Sequence, residues 1–118
     1  MVFYAIDCDS KMPKRKGRAR LLISSKLTLE SGYIQEIKIW ETLPSTKYPD
    51  GIRYRLALVN LASREIAVLY DNHWPKGDHV HVGKTETPYR FESVEQLLQD
   101  FFGQVEQVEG TNDENKEN

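Results

Sequence analysis

Apolar and polar residues alternate along several short stretches of the chain, which is the pattern of strands with one buried face. The clearest case is residues 52–60, where four apolar side chains share one parity: Ile52, Tyr54, Leu56 and Leu58. Arg53 and Arg55 begin the opposite face, so this strand predicts a cationic patch behind a buried row. Residues 19–29, 33–40 and 64–70 also have strand character, and residues 1–7 predict a short strand.

The period changes near the end of the chain. Residues 83–88 are polar and predict a loop, after which Ser93 and Gln96 form a capping-box pattern. Apolar residues then recur at helical spacing: Val94, Leu97, Leu98, Phe101, Phe102 and Val105. We therefore expect an α+β fold, an antiparallel β-sheet of about five or six strands with one C-terminal helix packed on one face. The other face is then available for binding.

The length of 118 residues is that of one domain. We divide it into an N-terminal strand and basic loop (1–18), a single α+β domain (19–108) and an acidic, polar tail expected to be disordered (109–118). No apolar run is long enough to span a membrane, and residues 1–10 do not form a signal peptide, so we expect a cytoplasmic protein.

Charge is distributed unevenly, although the net charge is only -2. A basic block of six Lys and Arg residues lies between Lys11 and Arg20. Its centre, Lys14, Arg15 and Lys16, is a candidate for contacts with nucleic-acid phosphates, and a solvated loop is the alternative interpretation.

All three histidines lie between residues 73 and 81, around the turn signal Pro75-Lys76-Gly77. A hairpin centred on Lys76 would place His73 opposite His79 and Asp71 opposite His81. Alternation would then bring all four side chains to one face. The prediction depends on the register of this hairpin.

Three interpretations of this histidine cluster remain open. In the first, which needs no cofactor, it is a ribonuclease centre: one histidine takes a proton from a ribose 2′-hydroxyl and another protonates the leaving oxygen. Asp71 would orient an imidazole, and Lys76, Arg53 or Arg55 would stabilise the phosphate. In the second, His73, His79 and His81 bind a transition metal with Asp71. In the third, the cluster has no chemistry.

A set of residues in order along the chain resembles a known family: Tyr70-Asp71-Asn72-His73, then Gly77, His79 and His81, then Pro88-Tyr89 and Phe91, then Leu97, Leu98, Asp100 and Phe101. The chain resembles the TumE toxins of type II toxin–antitoxin systems from about Ser25 to Val108. Residues 1–18 look like an addition outside the family pattern.

The resemblance implies a small cytoplasmic toxin, neutralised by an antitoxin that often carries a DNA-binding helix-turn-helix. From histidine chemistry we expect this toxin to act on RNA. The alternative is a non-enzymatic nucleic-acid-binding or regulatory module that uses the basic block. The sequence leaves open whether the chain forms a homodimer.

Overall fold

A computed structural model describes residues 2–3 and 19–117, with the side chains of residues 19–110. The described strands form one antiparallel sheet of seven strands that follow one another in chain order. They are β1 (Val2–Phe3), β2 (Arg20–Thr28), β3 (Tyr33–Glu41), β4 (Ile52–Asn60), β5 (Ile66–Asp71), β6 (His79–Val82) and β7 (Thr85–Pro88). Helix α1 (Val94–Glu117) follows. The predicted α+β class is confirmed.

The core lies between one face of the sheet and the apolar stripe of α1. The inward row of β4, which includes Tyr54, Leu56 and Leu58, is buried against Leu97 and Phe101 of the helix. The helix begins where the capping pattern predicts it. The Ser93 hydroxyl accepts a hydrogen bond from the Gln96 amide at 3.0 Å, which satisfies one free N–H of the first turn.

Residues 83–88 were predicted as a loop, and this prediction is wrong for the last four of them, because Thr85–Pro88 is strand β7, paired with β6. Val82 pairs with Thr85, so the turn between them consists of Gly83 and Lys84. Gly83 has a φ of 63°, a conformation that two-residue hairpin turns require and that glycine adopts without steric cost. All of β7 is exposed at the sheet edge, so no apolar alternation marks it.

Two observations concern the ends of elements. In β3, Ile39 has the inward parity, and Trp40 points to the other face and is partly exposed. Helix α1 continues to Glu117, so its backbone is helical in most of the segment predicted as a disordered tail.

The predicted division of the chain into three parts stays a prediction. The basic-block candidates Lys14, Arg15 and Lys16 lie outside the described residues. In the part of the chain that is described, no helix is long and apolar enough to cross a membrane.

Candidate functional site

The face of the sheet opposite α1 carries most of the polar candidates, and we call it the open face. Its residues on β3 to β7 include Lys38, Trp40, Arg53, Arg55, Asp71, His79, His81 and Glu86. Four of them are successive cross-strand partners and form one row: Lys38, Arg55, Asp71 and His79. The predicted placement of Arg53 and Arg55 opposite the buried row is confirmed.

The predicted register of the histidine hairpin is wrong by two residues. Asp71 pairs with His79 and Leu69 with His81, so the hairpin is centred on Pro75 instead of Lys76. A shift of two residues preserves the side-chain parity, and His79 and His81 therefore keep the face of Asp71. His73, by contrast, lies in the connecting loop and is exposed.

The side chain of Asp71 explains why the ladder stops before His73. Its Oδ1 atom accepts a hydrogen bond from the His73 amide at 2.9 Å, two residues along the chain. This local bond turns the chain out of the strand direction, as aspartates do at the start of loops. Asp71 therefore shapes the loop. The described contacts do not include the predicted bond from Asp71 to an imidazole.

His79 and His81 form an imidazole pair on the open face. They are two residues apart on β6, and their ring centroids lie 5.1 Å apart at an interplanar angle of 85°. His79 is 8% exposed, and its Nδ1 lies 2.8 Å from the carbonyl oxygen of Gly77. A carbonyl can only accept, so Nδ1 carries the hydrogen and Nε2 is left as the nitrogen free for chemistry.

Glu86 and Lys76 complete the surroundings of this pair. Glu86 is the cross-strand partner of His81, and its Oε1 lies 4.0 Å from Nε2 of that histidine. Its other oxygen lies 2.7 Å from Lys76 Nζ, and this hydrogen-bonded ion pair holds the pKa of Glu86 below its ordinary value. A pocket of about 320 Å³ lies alongside, lined by Lys76, Asp78, His79, Glu86, Thr87 and Pro88.

These side chains also include a set that could hold a metal ion. The donor atoms of His79, His81 and Glu86 lie within 4.8 Å of one another, whereas neighbouring ligands of a tetrahedral zinc ion are about 3.3 Å apart. The bond from His79 to a backbone carbonyl is the kind that orients metal-binding histidines. The set differs from the predicted one, since Glu86 belongs to it and neither His73 nor Asp71 does.

A cationic group on β3 and β4 lies on the same face of the sheet as the two histidines of β6. The Arg53 guanidinium is stacked over the Trp40 ring at 4.5 Å, and Arg55 lies 3.8 Å from Glu36. Sequence reasoning did not select Lys38, Trp40 or Glu86. The first two share a parity opposite to Ile37 and Ile39, a signal present in the sequence of β3, whereas nothing in β7 distinguishes Glu86.

Comparison with family models now adds to this geometry. A family model described as Toxin TumE matches residues 5–109. The chain belongs to the TumE toxin family. The TumE match begins at residue 5, so the expectation that residues 1–18 fall outside the family pattern is wrong for residues 5–18. Searches of curated proteins and of solved structures gave no match. Membership of a toxin family implies an antitoxin partner in general.

Within the TumE toxin, Asn72 is the residue that ties the histidine loop to the sheet. It is 8% exposed and follows the end of β5 directly. Its Oδ1 accepts from the Tyr54 amide and its Nδ2 donates to the Ile52 carbonyl, both at 2.9 Å. The side-chain amide thus takes the place of a backbone partner for β4. In the run Asp71-Asn72-His73, the first two side chains therefore have structural contacts.

Proposed function

We propose that this TumE toxin acts on RNA in the cytoplasm, with His79 and His81 as a general acid–base pair. The observation that supports it most directly is the side-by-side position of the two imidazoles on the open face. The row of His79 continues through Asp71 to Arg55 and Lys38. Cleavage of a phosphodiester needs one group to accept a proton, one to donate a proton and cations near the phosphate. The open face supplies all three.

In the proposed reaction, Nε2 of His79 takes the proton of a ribose 2′-hydroxyl, and the 2′ oxygen attacks the adjacent phosphorus. The bond from phosphorus to the 5′ oxygen breaks, and protonated His81 gives its proton to that oxygen. The products are a 2′,3′-cyclic phosphate and a 5′-hydroxyl, so no water or metal enters the step. His79 is assigned as the base because its Nδ1 is held by Gly77, which leaves Nε2 as the acceptor.

Cations then stabilise the charge on the phosphate. Lys76 reaches the same pocket as His79 while paired with Glu86, and Arg55 follows Asp71 in the row. Arg53 lies one further position along the open face of β4. The basic-block residues Lys14, Arg15 and Lys16 would bind other phosphates of the same RNA.

The test compares single alanine variants at His79 and His81 with His73→Ala, the matched control, since His73 is exposed in the loop. Each variant is assayed for growth arrest and for cleavage of a single-stranded RNA with analysis of the product ends. Loss of one proton-transfer group should lower the cleavage rate about 100-fold or more at His79 and His81. His73→Ala should stay near wild type.

Thermal unfolding curves serve as the check on folding in this test. Cleavage retained by the doubly substituted His79→Ala/His81→Ala protein, with an unchanged unfolding curve, would show that the imidazole pair does not carry the reaction. Products ending in a 2′-hydroxyl and a 3′-phosphate, formed without a cyclic intermediate, would contradict the proposed attack of the 2′ oxygen.

The proposal includes the partner. We expect a type II antitoxin, a protein with a helix-turn-helix domain, to bind this chain and stop growth arrest. Where a small helix-turn-helix gene lies beside this one, co-expression with its product should give a complex that co-purifies and restores growth. Restored growth without a protein complex would contradict this part of the proposal.

A further inference from the structure

Three cations lie together on the open face, although neighbouring strands usually place opposite charges across from each other. Lys38 on β3 is the direct cross-strand partner of Arg55 on β4, and Arg53 is two positions away on the same face. Like charges directly opposite each other destabilise a sheet. Arg55 has Glu36 at 3.8 Å, but no described carboxylate lies within ion-pair distance of Lys38 or Arg53. This arrangement fits an anionic ligand.

The indole ring of Trp40 adds a planar surface next to these cations. The Arg53 guanidinium lies over the Trp40 ring at 4.5 Å, and both side chains are partly exposed. Unstacked RNA bases bind to aromatic rings and to the planes of arginine guanidinium groups. Since α1 packs on the other face, none of the described helices or strands covers this stacked pair.

Two of the cations, Lys38 and Arg55, lie in the same cross-strand row as His79. Lys38, Arg55, Asp71 and His79 are successive partners on four neighbouring strands. Strands lie about 4.8 Å apart, so the backbone of Arg55 is about 10 Å from that of His79, and the backbone of Lys38 is about 14 Å away. A nucleic-acid strand that crosses the sheet along this row would contact the cations and the imidazole pair together.

We propose that Lys38, Trp40, Arg53 and Arg55 form a binding track for single-stranded RNA. Lys38 and Arg55 each bind a backbone phosphate, and a base near the cleaved nucleotide stacks on the pair of Arg53 and Trp40. The inference rests on the proposed function and specifies its substrate as single-stranded, because the bases of an A-form duplex are stacked and paired and cannot reach such a platform.

The test measures binding without cleavage, in the His79→Ala/His81→Ala protein. Fluorescence anisotropy with a labelled single-stranded RNA gives the dissociation constant at several salt concentrations. The Lys38→Gln/Arg55→Gln change should weaken binding at least tenfold and reduce the slope of log K against log salt by about 1.4, since each phosphate contact contributes about 0.7. Trp40→Ala should weaken binding roughly 5- to 150-fold, the range for loss of one stacked base.

The matched control is Lys84→Gln/Arg90→Gln, which removes the same charge from exposed positions in the turn before β7 and the loop after it. Equal affinity in the track variant and this control would overturn the inference. It would also be overturned if an RNA duplex bound as tightly as the single strand, or if no single-stranded RNA bound at all.

Failure of the track and failure of the proposed function give different results. Dependence of cleavage on His79 and His81 can persist when the track substitutions have no effect on binding. Circular dichroism checks that the variants fold. Trp40→Leu is a second substitution at residue 40, which keeps an apolar side chain while removing the planar ring. Unchanged affinity in folded Trp40→Leu would rule out stacking on Trp40.

Discussion

Replacement of Asn72 by alanine tests whether this motif residue acts through structure. The change removes both hydrogen bonds of the side chain to β4, leaving the Tyr54 N–H and the Ile52 carbonyl without that partner. Tyr54 is 1% exposed, so its amide would be buried and unsatisfied at a cost of about 1–3 kcal/mol. Ile52 is partly exposed, and water can replace part of that bond, which adds about 1 kcal/mol.

The expected loss in the free energy of unfolding is therefore about 2–4 kcal/mol, measured by urea denaturation. It should lower the melting temperature on the order of 10 °C. Asn60→Ala is the matched control, because the Asn60 side chain also makes two hydrogen bonds, accepted from the amides of Ala62 and Ser63, but in an exposed turn. Water can replace these bonds, and we expect a loss below about 1 kcal/mol.

Growth arrest separates a structural role from a chemical one. Asn72→Ala should regain toxicity at lower temperature, where more of the protein is folded, while His81→Ala should stay inactive at every temperature. An equal, small loss of stability in the Asn72 and Asn60 variants would refute the argument from buried hydrogen bonds. So would loss of toxicity in Asn72→Ala that persists when the protein is fully folded.

Two further predictions concern pH and metal. Burial raises the pKa of Tyr70 to about 12 and, with Asp78, raises that of Tyr54 as well. Because the folded state holds these protons more tightly, stability should be full below about pH 10 and fall as the pH rises toward 12, by up to about 1.4 kcal/mol per pH unit for each tyrosine. Urea unfolding across this range should show the fall, and Tyr70→Phe should make it shallower; a flat wild-type profile would contradict it. RNA cleavage by protein purified without a histidine tag should survive EDTA, and loss that zinc restores would instead assign the reaction to a metal at His79, His81 and Glu86.

The sequence predicts the parts of this fold that depend on local pattern. The parity of Tyr54, Leu56 and Leu58 identifies the buried face of β4, and Ser93 with Gln96 marks the start of α1. In both cases the residues that carry the signal also make the contacts. Strand β7 has no such signal, because an exposed edge strand buries neither face and need not alternate.

The hairpin register could not be read from the turn residues. A loop centred on Pro75 or on Lys76 fits the same Pro-Lys-Gly signal, and the choice depends on where β5 ends. It ends at Asp71 because Asp71 bonds to the His73 amide and Asn72 turns its side chain to β4. The second contact needs the position of β4, which is distant in sequence.

This difference between parity and register decides which part of the candidate site has firm support from the sequence. His79 and His81 are two residues apart on one strand, so they share a face whatever strand lies beside them. The predicted position of His73 depended on the register, and in the structure His73 lies in the loop. Glu86 and the row of Lys38 and Arg55 depend on register too, and only the structure brings them near the imidazoles. The acid–base proposal therefore rests on the pair that no register error could separate, and the RNA track rests on contacts that the fold alone supplies.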